Sequence, residues 1–231
     1  LSPPLSLPEI EAAIRATGLT PRGAFHPDPA DAVPPLADGR TCRTLVLLGN
    51  IGGSLWDSYR LAPEAQDGRP DPMNRWCARV VSALARDFGG RALFPFGEPP
   101  YLPFLRWAQK AETLFSSPLG IMIHPDHGLW HAYRGAIALP EVLDLPPRAP
   151  AANPCDSCAD KPCLTTCPVG AFTTAGYDVA ACAAHVAAAA GADCLDLGCR
   201  ARRACPVAPS GHYRPEQARF HMEAFLAARD G

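Results

Sequence analysis

Eight of the chain's ten cysteines fall between residues 155 and 205, and a stretch so rich in thiols has to be organised by cross-links or by metal. The first run reads Cys155-x2-Cys158-x4-Cys163-x3-Cys167-Pro168. The second reads Cys182-x11-Cys194-x4-Cys199-x5-Cys205-Pro206. Intervals this short are metal-type spacing rather than a secreted disulfide framework, so a reducing interior, the cytoplasm, is the expected location. Cys42 and Cys77 stand apart and are expected to be buried, inert thiols.

Each run supplies three thiols and then a Cys-Pro, and the followers repeat as Cys167-Pro168-Val169 and Cys205-Pro206-Val207. Two-cluster ferredoxins use the same logic, the fourth cysteine of each run reaching across to the other cluster. On that reading one [4Fe–4S] cluster takes Cys155, Cys158, Cys163 and Cys205, and the other takes Cys182, Cys194, Cys199 and Cys167. Soft thiolates suit iron and sulfide, because the chain can curl round a cubane and offer N–H groups to its sulfurs. The spacing departs from the usual C-x2-C-x2-C-x3-C-P at Cys163 and is looser in the second run. Structural zinc, which also accepts four thiolates, is the competing reading; the paired Cys-Pro endings favour iron–sulfur.

The rest of the chain is long and apolar enough, at 48% hydrophobic residues, for a substantial core. The net charge of −2 and the scattered basic residues point to no nucleic-acid partner. No apolar run approaches the roughly 20 residues that span a bilayer. The opening Leu1-Ser2-Pro3-Pro4-Leu5 lacks a secretory layout, and no membrane partner is expected. A helix is predicted over 8–17, an irregular connector over 20–40, and a buried strand at Thr44–Leu48 turning through Gly49–Ser54 into a helix. Trp76, Val80, Val81, Leu84 and Phe88 recur at helical spacing over 72–88, closed by Gly89-Gly90. A strand over 91–96 and a helix over 101–112 follow. Two strands, 120–124 and 130–139, are joined by the turn Pro125-Asp126-His127-Gly128, and a helix closes the chain from Pro215. The mixture predicts an α+β or α/β layer fold, ending at the proline-rich linker Pro146–Pro150.

The stretch His124-Pro125-Asp126-His127-Gly128-Leu129-Trp130-His131-Ala132-Tyr133-Arg134-Gly135-Ala136-Ile137 runs on through Leu139-Pro140 to Asp144-Leu145-Pro146-Pro147-Arg148. It resembles the vitamin B12-processing family of cobalamin decyanases and dealkylases (the cblC type), where an Ile-His-Pro turn, a Gly-x-Trp, an Arg-Gly strand and an Asp-Leu-Pro-Pro-Arg exit come in the same order. The cysteine segment is similar instead to the module of epoxyqueuosine reductases and reductive dehalogenases. The chain is too short for an epoxyqueuosine reductase with its usual C-terminal extension, which argues against tRNA modification.

These resemblances imply an α+β chain with a nitroreductase-like corrinoid-binding domain over 1–149. A ferredoxin-like two-cluster module would cover 150–212, and a C-terminal helix, 213–231, would pack back on the first domain. They imply an oxidoreductase acting on cobalamin, a cob(III)alamin or cyanocobalamin reductase, that passes electrons from two [4Fe–4S] clusters to cobalt. Its partners would be the corrinoid and an external low-potential electron donor. His124 and Arg134 are the leading corrinoid contacts by position, and in the family the matching Arg lies at the cobalamin site. Trp130 and Tyr133 are further candidates, with core packing as their ordinary role. Gly49–Ser54 could cradle a phosphate but lacks the Lys-Ser/Thr of a P-loop and reads more simply as a tight turn. A ferredoxin-type electron-transfer protein, and a reductase of a non-corrinoid substrate on the same fold, remain open.

Overall fold

The computed structural model of the chain describes residues 5–173 and 175–229; the opening Leu1–Pro4, read above for signal character, lies outside them. Helix α1 (Leu7–Ala16) leads to strand β1 (Thr20–Phe25) and strand β2 (Thr44–Ile51). Helices α2 (Trp56–Arg60), α3 (Pro63–Gln66) and α4 (Pro72–Asp87) precede β3 (Arg91–Leu93) and α5 (Phe104–Ala111). Then come β4 (Phe115–Ser116), β5 (Met122–Ile123) and β6 (His131–Leu139). The cysteine segment holds α6 (Pro162–Thr165), β7 (Phe172–Thr173), β8 (Gly176–Tyr177), α7 (Val179–Ala187), α8 (Ala192–Leu197) and α9 (Arg200–Arg203). Helix α10 (Pro215–Ala227) ends the chain. The class is α+β. Among the described residues no single helix is long and apolar enough to cross a membrane.

Two compact units emerge. The first comprises residues 1–113 and 132–150, the second residues 114–131 and 151–231. This differs from the expected division in two ways. The segment 114–131, placed by the sequence with the first domain, clusters with the cysteines. The C-terminal helix, expected back on the first domain, belongs to the second unit, where it packs on α8 and α7.

The first unit is built on a four-stranded sheet ordered β1-β2-β6-β3. Its central strand β2 is buried along Thr44–Asn50, as a run of Leu45, Val46, Leu47 and Leu48 demands. Gly49 is required by close approach, since a Cβ there would sit 1.9 Å from the Ala132 carbonyl oxygen. Helix α4 starts on Pro72 and buries Met73, Trp76, Cys77, Val81 and Leu84, each side chain contributing about 1.5–3 kcal/mol by leaving water. Gly89, at φ 64°, ends it in a Schellman turn: Gly90 N–H donates to the Ala85 carbonyl at 2.7 Å and Gly89 N–H to Arg86 at 3.1 Å.

Strand β1 lies inside the stretch expected to be an irregular connector. It pairs antiparallel with β2 and shifts register between Pro21 and Ala24. Pro21 and Gly23 hide it from a pattern reading, and Arg22 explains it. The Arg22 side chain is fully buried, and its Nε and Nη2 hold both Glu112 oxygens at 3.0 and 2.6 Å. The 120–124 and 130–139 strands also part company. Strand β5 pairs with β4 in a separate two-stranded sheet, whereas β6 sits in the main sheet beside β2 and β3.

The second unit has a much smaller core. Leu119, Ile123, Leu129, Ala201 and Cys205 are buried together, with Phe115, Phe172, Val207 and further cysteines packed against them. Its two cysteine runs repeat in space as well as in sequence. Thirty-eight residues separate Cys167 from Cys205, and the same interval carries α6 onto α9, which pack on each other. It also carries Gly170 onto Ala208. Both take the left-handed conformation, at φ 58° and 51°, so each Cys-Pro-Val ends in the same turn.

Candidate cluster-binding site

Among the described residues no three His, Cys, Asp or Glu side chains stand close enough to grip a single metal ion. The eight thiols of the second unit form two looser neighbourhoods. Burial is the first cause raising the Cys155 thiol, and the Cys205, Cys163 and Cys158 thiols add to it. Cys163 is raised by burial and then by Cys205 and Cys158, and Cys205 by burial and Cys158. Every pair within Cys155, Cys158, Cys163 and Cys205 thus interacts. Around the other set, Cys182 is raised by burial, then by Cys167 and Cys194. Cys199 is raised by burial, then by Cys182 and Cys194. Each of these influences stays within one set, and each set joins three thiols of one run to the last thiol of the other.

The local backbone gives the sulfurs donors. Ala171 N–H donates to Cys167 Sγ at 3.3 Å. Cys199 receives the N–H groups of Ala201 and Arg202, Cys205 that of Val207, and Cys163 that of Leu164. Such bonds favour the thiolate over the thiol, as a metal ligand requires. In the first set all four soft donors neighbour one another. In the second, Cys182 neighbours the other three while Cys199 also neighbours Cys194. The donor chemistry of this arrangement fits an iron–sulfur cluster better in the first set than in the second. Tyr177, which sequence reasoning missed, hydrogen-bonds the Cys182 thiol and stacks on Phe172 with ring centroids 4.9 Å apart. Gln217 is fully buried on α10 yet neither amide atom has a partner among the described residues, and the same holds for Trp130 Nε1.

The corrinoid candidates divide between the units. In the second, the His124 ring accepts the Asp126 and His127 N–H groups on Nδ1 at 3.0 and 3.3 Å. It stacks on His127 at 4.3 Å. Trp130 is 1% exposed, enclosed by His212, Tyr213 and Arg202. In the first unit, Tyr133 and Arg134 are consecutive on β6 and therefore face opposite sides. The Tyr133 hydroxyl donates to Glu112 at 2.5 Å, and its ring lies under the Arg22 guanidinium at 4.6 Å. Burial, reinforced by Glu112, keeps its phenol protonated.

Arg134 is different. Its Nε donates to Asn50 Oδ1 at 3.1 Å, and among the described residues it has no carboxylate partner and no bond from either Nη. The side chain of buried Asn50 is held in turn by Gly52 O at 3.0 Å. Gly49–Ser54 is a self-satisfied turn: the Ser54 hydroxyl accepts Ile51 N–H, and Ser54 N–H bonds back to Ile51. It has the geometry of a tight turn and no visible cradle. Cys42 and Cys77 are buried, and burial pushes both thiols up to about 11. No family model matches the chain, and no curated protein is similar to it.

Proposed function

We propose that the chain is a two-cluster iron–sulfur oxidoreductase whose first unit binds a corrinoid and whose electrons, taken from an external low-potential donor, reduce the bound cobalt or drive off its upper ligand. The observation that carries the cluster half is the pair of Cys-Pro-Val endings, each running into the same left-handed turn at Gly170 and Ala208. Interleaved donors alone would also suit cross-braced zinc, whereas paired Cys-Pro endings belong to the two-cluster ferredoxin pattern. The clusters supply one-electron transfer at low potential. The chain's own part is to hold eight thiolates in two sets, aim N–H groups at their sulfurs and bury them.

The corrinoid half rests on the resemblance of residues 123–148 and on Arg134. A half-buried guanidinium with both terminal nitrogens open is suited to a corrin side-chain amide or a nucleotide phosphate. Asn50 fixes the plane of that fork before any ligand arrives, which lowers the cost of binding. Tyr133, engaged with Glu112 and Arg22, supports the strand from the opposite face.

The test is an anaerobic titration of the reconstituted protein, reduced by dithionite and then freed of it, with hydroxocobalamin and cyanocobalamin. Cob(II)alamin or cob(I)alamin bands rising in step with reoxidation of the clusters are expected. Iron–sulfur absorbance without any corrinoid response would leave an electron carrier and end the corrinoid half.

A further inference from the structure

Three arginines lie on the four-residue helix α9, between Cys199 of one thiol set and Cys205 of the other. Arg200 and Arg203 both pair with Asp193. Arg202 has no carboxylate partner among the described residues. It is nonetheless half-buried and tightly held. Its Nε and Nη2 donate to the Leu129 carbonyl at 3.1 and 2.5 Å, and Nη2 reaches the Tyr213 hydroxyl at 3.4 Å. Its Cζ lies 4.2 Å from the Trp130 ring centroid and 4.9 Å from that of Tyr213. The backbone is engaged on both sides: Arg202 N–H bonds the Cys199 sulfur, and Cys205 N–H bonds the Arg202 carbonyl at 3.3 Å.

A fixed cation withdrawn from water costs free energy unless an anion faces it. Aromatic faces and carbonyl oxygens offset part of that cost without cancelling the charge. Both Arg203 and Arg202 lie close enough to His212 to add to burial in holding its imidazole below the ordinary range. A cluster held by four thiolates carries net negative charge, which increases by one on reduction.

We propose that Arg202 is the built-in countercharge of the cysteine module, a positioning residue that favours the reduced clusters and raises their potential. The inference rests on the cluster reading above. Net charge near a cluster is one of the levers that set its potential. The caging by Leu129, Trp130 and Tyr213 keeps the charge from swinging out to solvent, where it would be screened.

The experiment is a redox titration of the reconstituted full chain, followed by electron paramagnetic resonance, with iron and sulfide assayed in parallel. Arg202→Gln is expected to retain both clusters and shift at least one midpoint potential to a more negative value. Arg202→Lys keeps the charge and is expected to stay near the wild type. His212→Glu leaves Arg202 in place but gives it a carboxylate, and is expected to shift in the same direction as Arg202→Gln. Potentials unmoved in loaded Arg202→Gln would overturn the proposal, as would loss of iron from Arg202→Gln and Arg202→Lys alike, which marks a purely structural role. A wild-type chain that takes up no iron and sulfide would instead overturn the cluster reading itself.

Discussion

The two units solve the same folding problem by different means. The first buries continuous apolar surface: β2 and the α4 stripe are closed to water, and even the fully buried charge of Arg22 is answered by both oxygens of Glu112. The second has alanine-rich short helices and a small core in which thiols pack among leucines. Its helices α6, α8 and α9 are four to six residues long, too short to hold themselves in water. If its cysteines hold the proposed clusters, a unit of that kind would draw its stability from them, because binding free energy becomes folding free energy when the site does not pre-exist. On the proposed cluster reading, the contrast is between a unit held by its apolar core and one that needs its cysteines loaded.

The largest effect should come from stripping the metal. Chelation under reducing conditions is expected to abolish amide-exchange protection across α7–α9 while β2 and β6 keep theirs. Equal protection in both units after iron removal would erase the contrast. Cys158→Ala should act in the same direction more locally, destroying one cluster, read as iron and sulfide content reduced by about half. Unchanged content would refute the first ligand set.

In the first unit, Glu112→Ala leaves the Arg22 guanidinium buried without its acid and is expected to cost about 3–5 kcal/mol in urea unfolding, with iron content untouched. A cost below 1 kcal/mol would show that the pair is not what holds β1 in place. Alkaline pH gives a smaller signal. Cys77 is held neutral up to about 11 in the fold, above its ordinary value of 9.0. Its contribution is therefore complete below pH 9 and is lost as pH climbs toward 11, roughly 1 kcal/mol by pH 10. Cys77→Ala should flatten that part of the stability profile, and an unchanged slope would argue against it.

The smallest test compares the two Cys-Pro-Val turns. Gly170→Ala should destabilise the loaded second unit by about 1 kcal/mol and Ala208→Gly should stabilise it by up to that amount, since only the alanine strains a left-handed backbone. Changes of equal sign would mean that the turns are not equivalent.

Legibility in the sequence followed the same divide. Helix α4 was readable because its start at Pro72, its apolar period and its Gly89-Gly90 stop all agree, and β2 because four aliphatic residues in a row have few other uses. The grouping proposed for the thiols rests on their order and the two Cys-Pro endings. Strand β1 was illegible for a physical reason: the partner that makes Arg22 bearable inside a sheet lies ninety residues away at Glu112. The fate of 114–131 was hidden likewise, because Leu119, Ile123 and Leu129 look like any core residues until the cysteine runs supply the surface they pack on. Arg134 stood out by position, but its open guanidinium depends on Asn50 and on what is not near it. Tyr177 and Arg202 carried no pattern at all.

The insertion of 114–131 into the second unit has a consequence for biogenesis. During synthesis the first unit can close once β6 has left the ribosome, with the chain only about two-thirds made. Leu119, Ile123, Leu129 and Trp130 must then wait for Ala201, Cys205 and Tyr213, some seventy to eighty residues behind them. In that interval an apolar segment is exposed on a nascent chain whose other half is able to fold, and on the proposed cluster reading its shelter would depend on delivery of iron as well as on translation. If the proposed clusters are present, limiting iron would show first as an aggregation-prone intermediate in which half of the molecule is native.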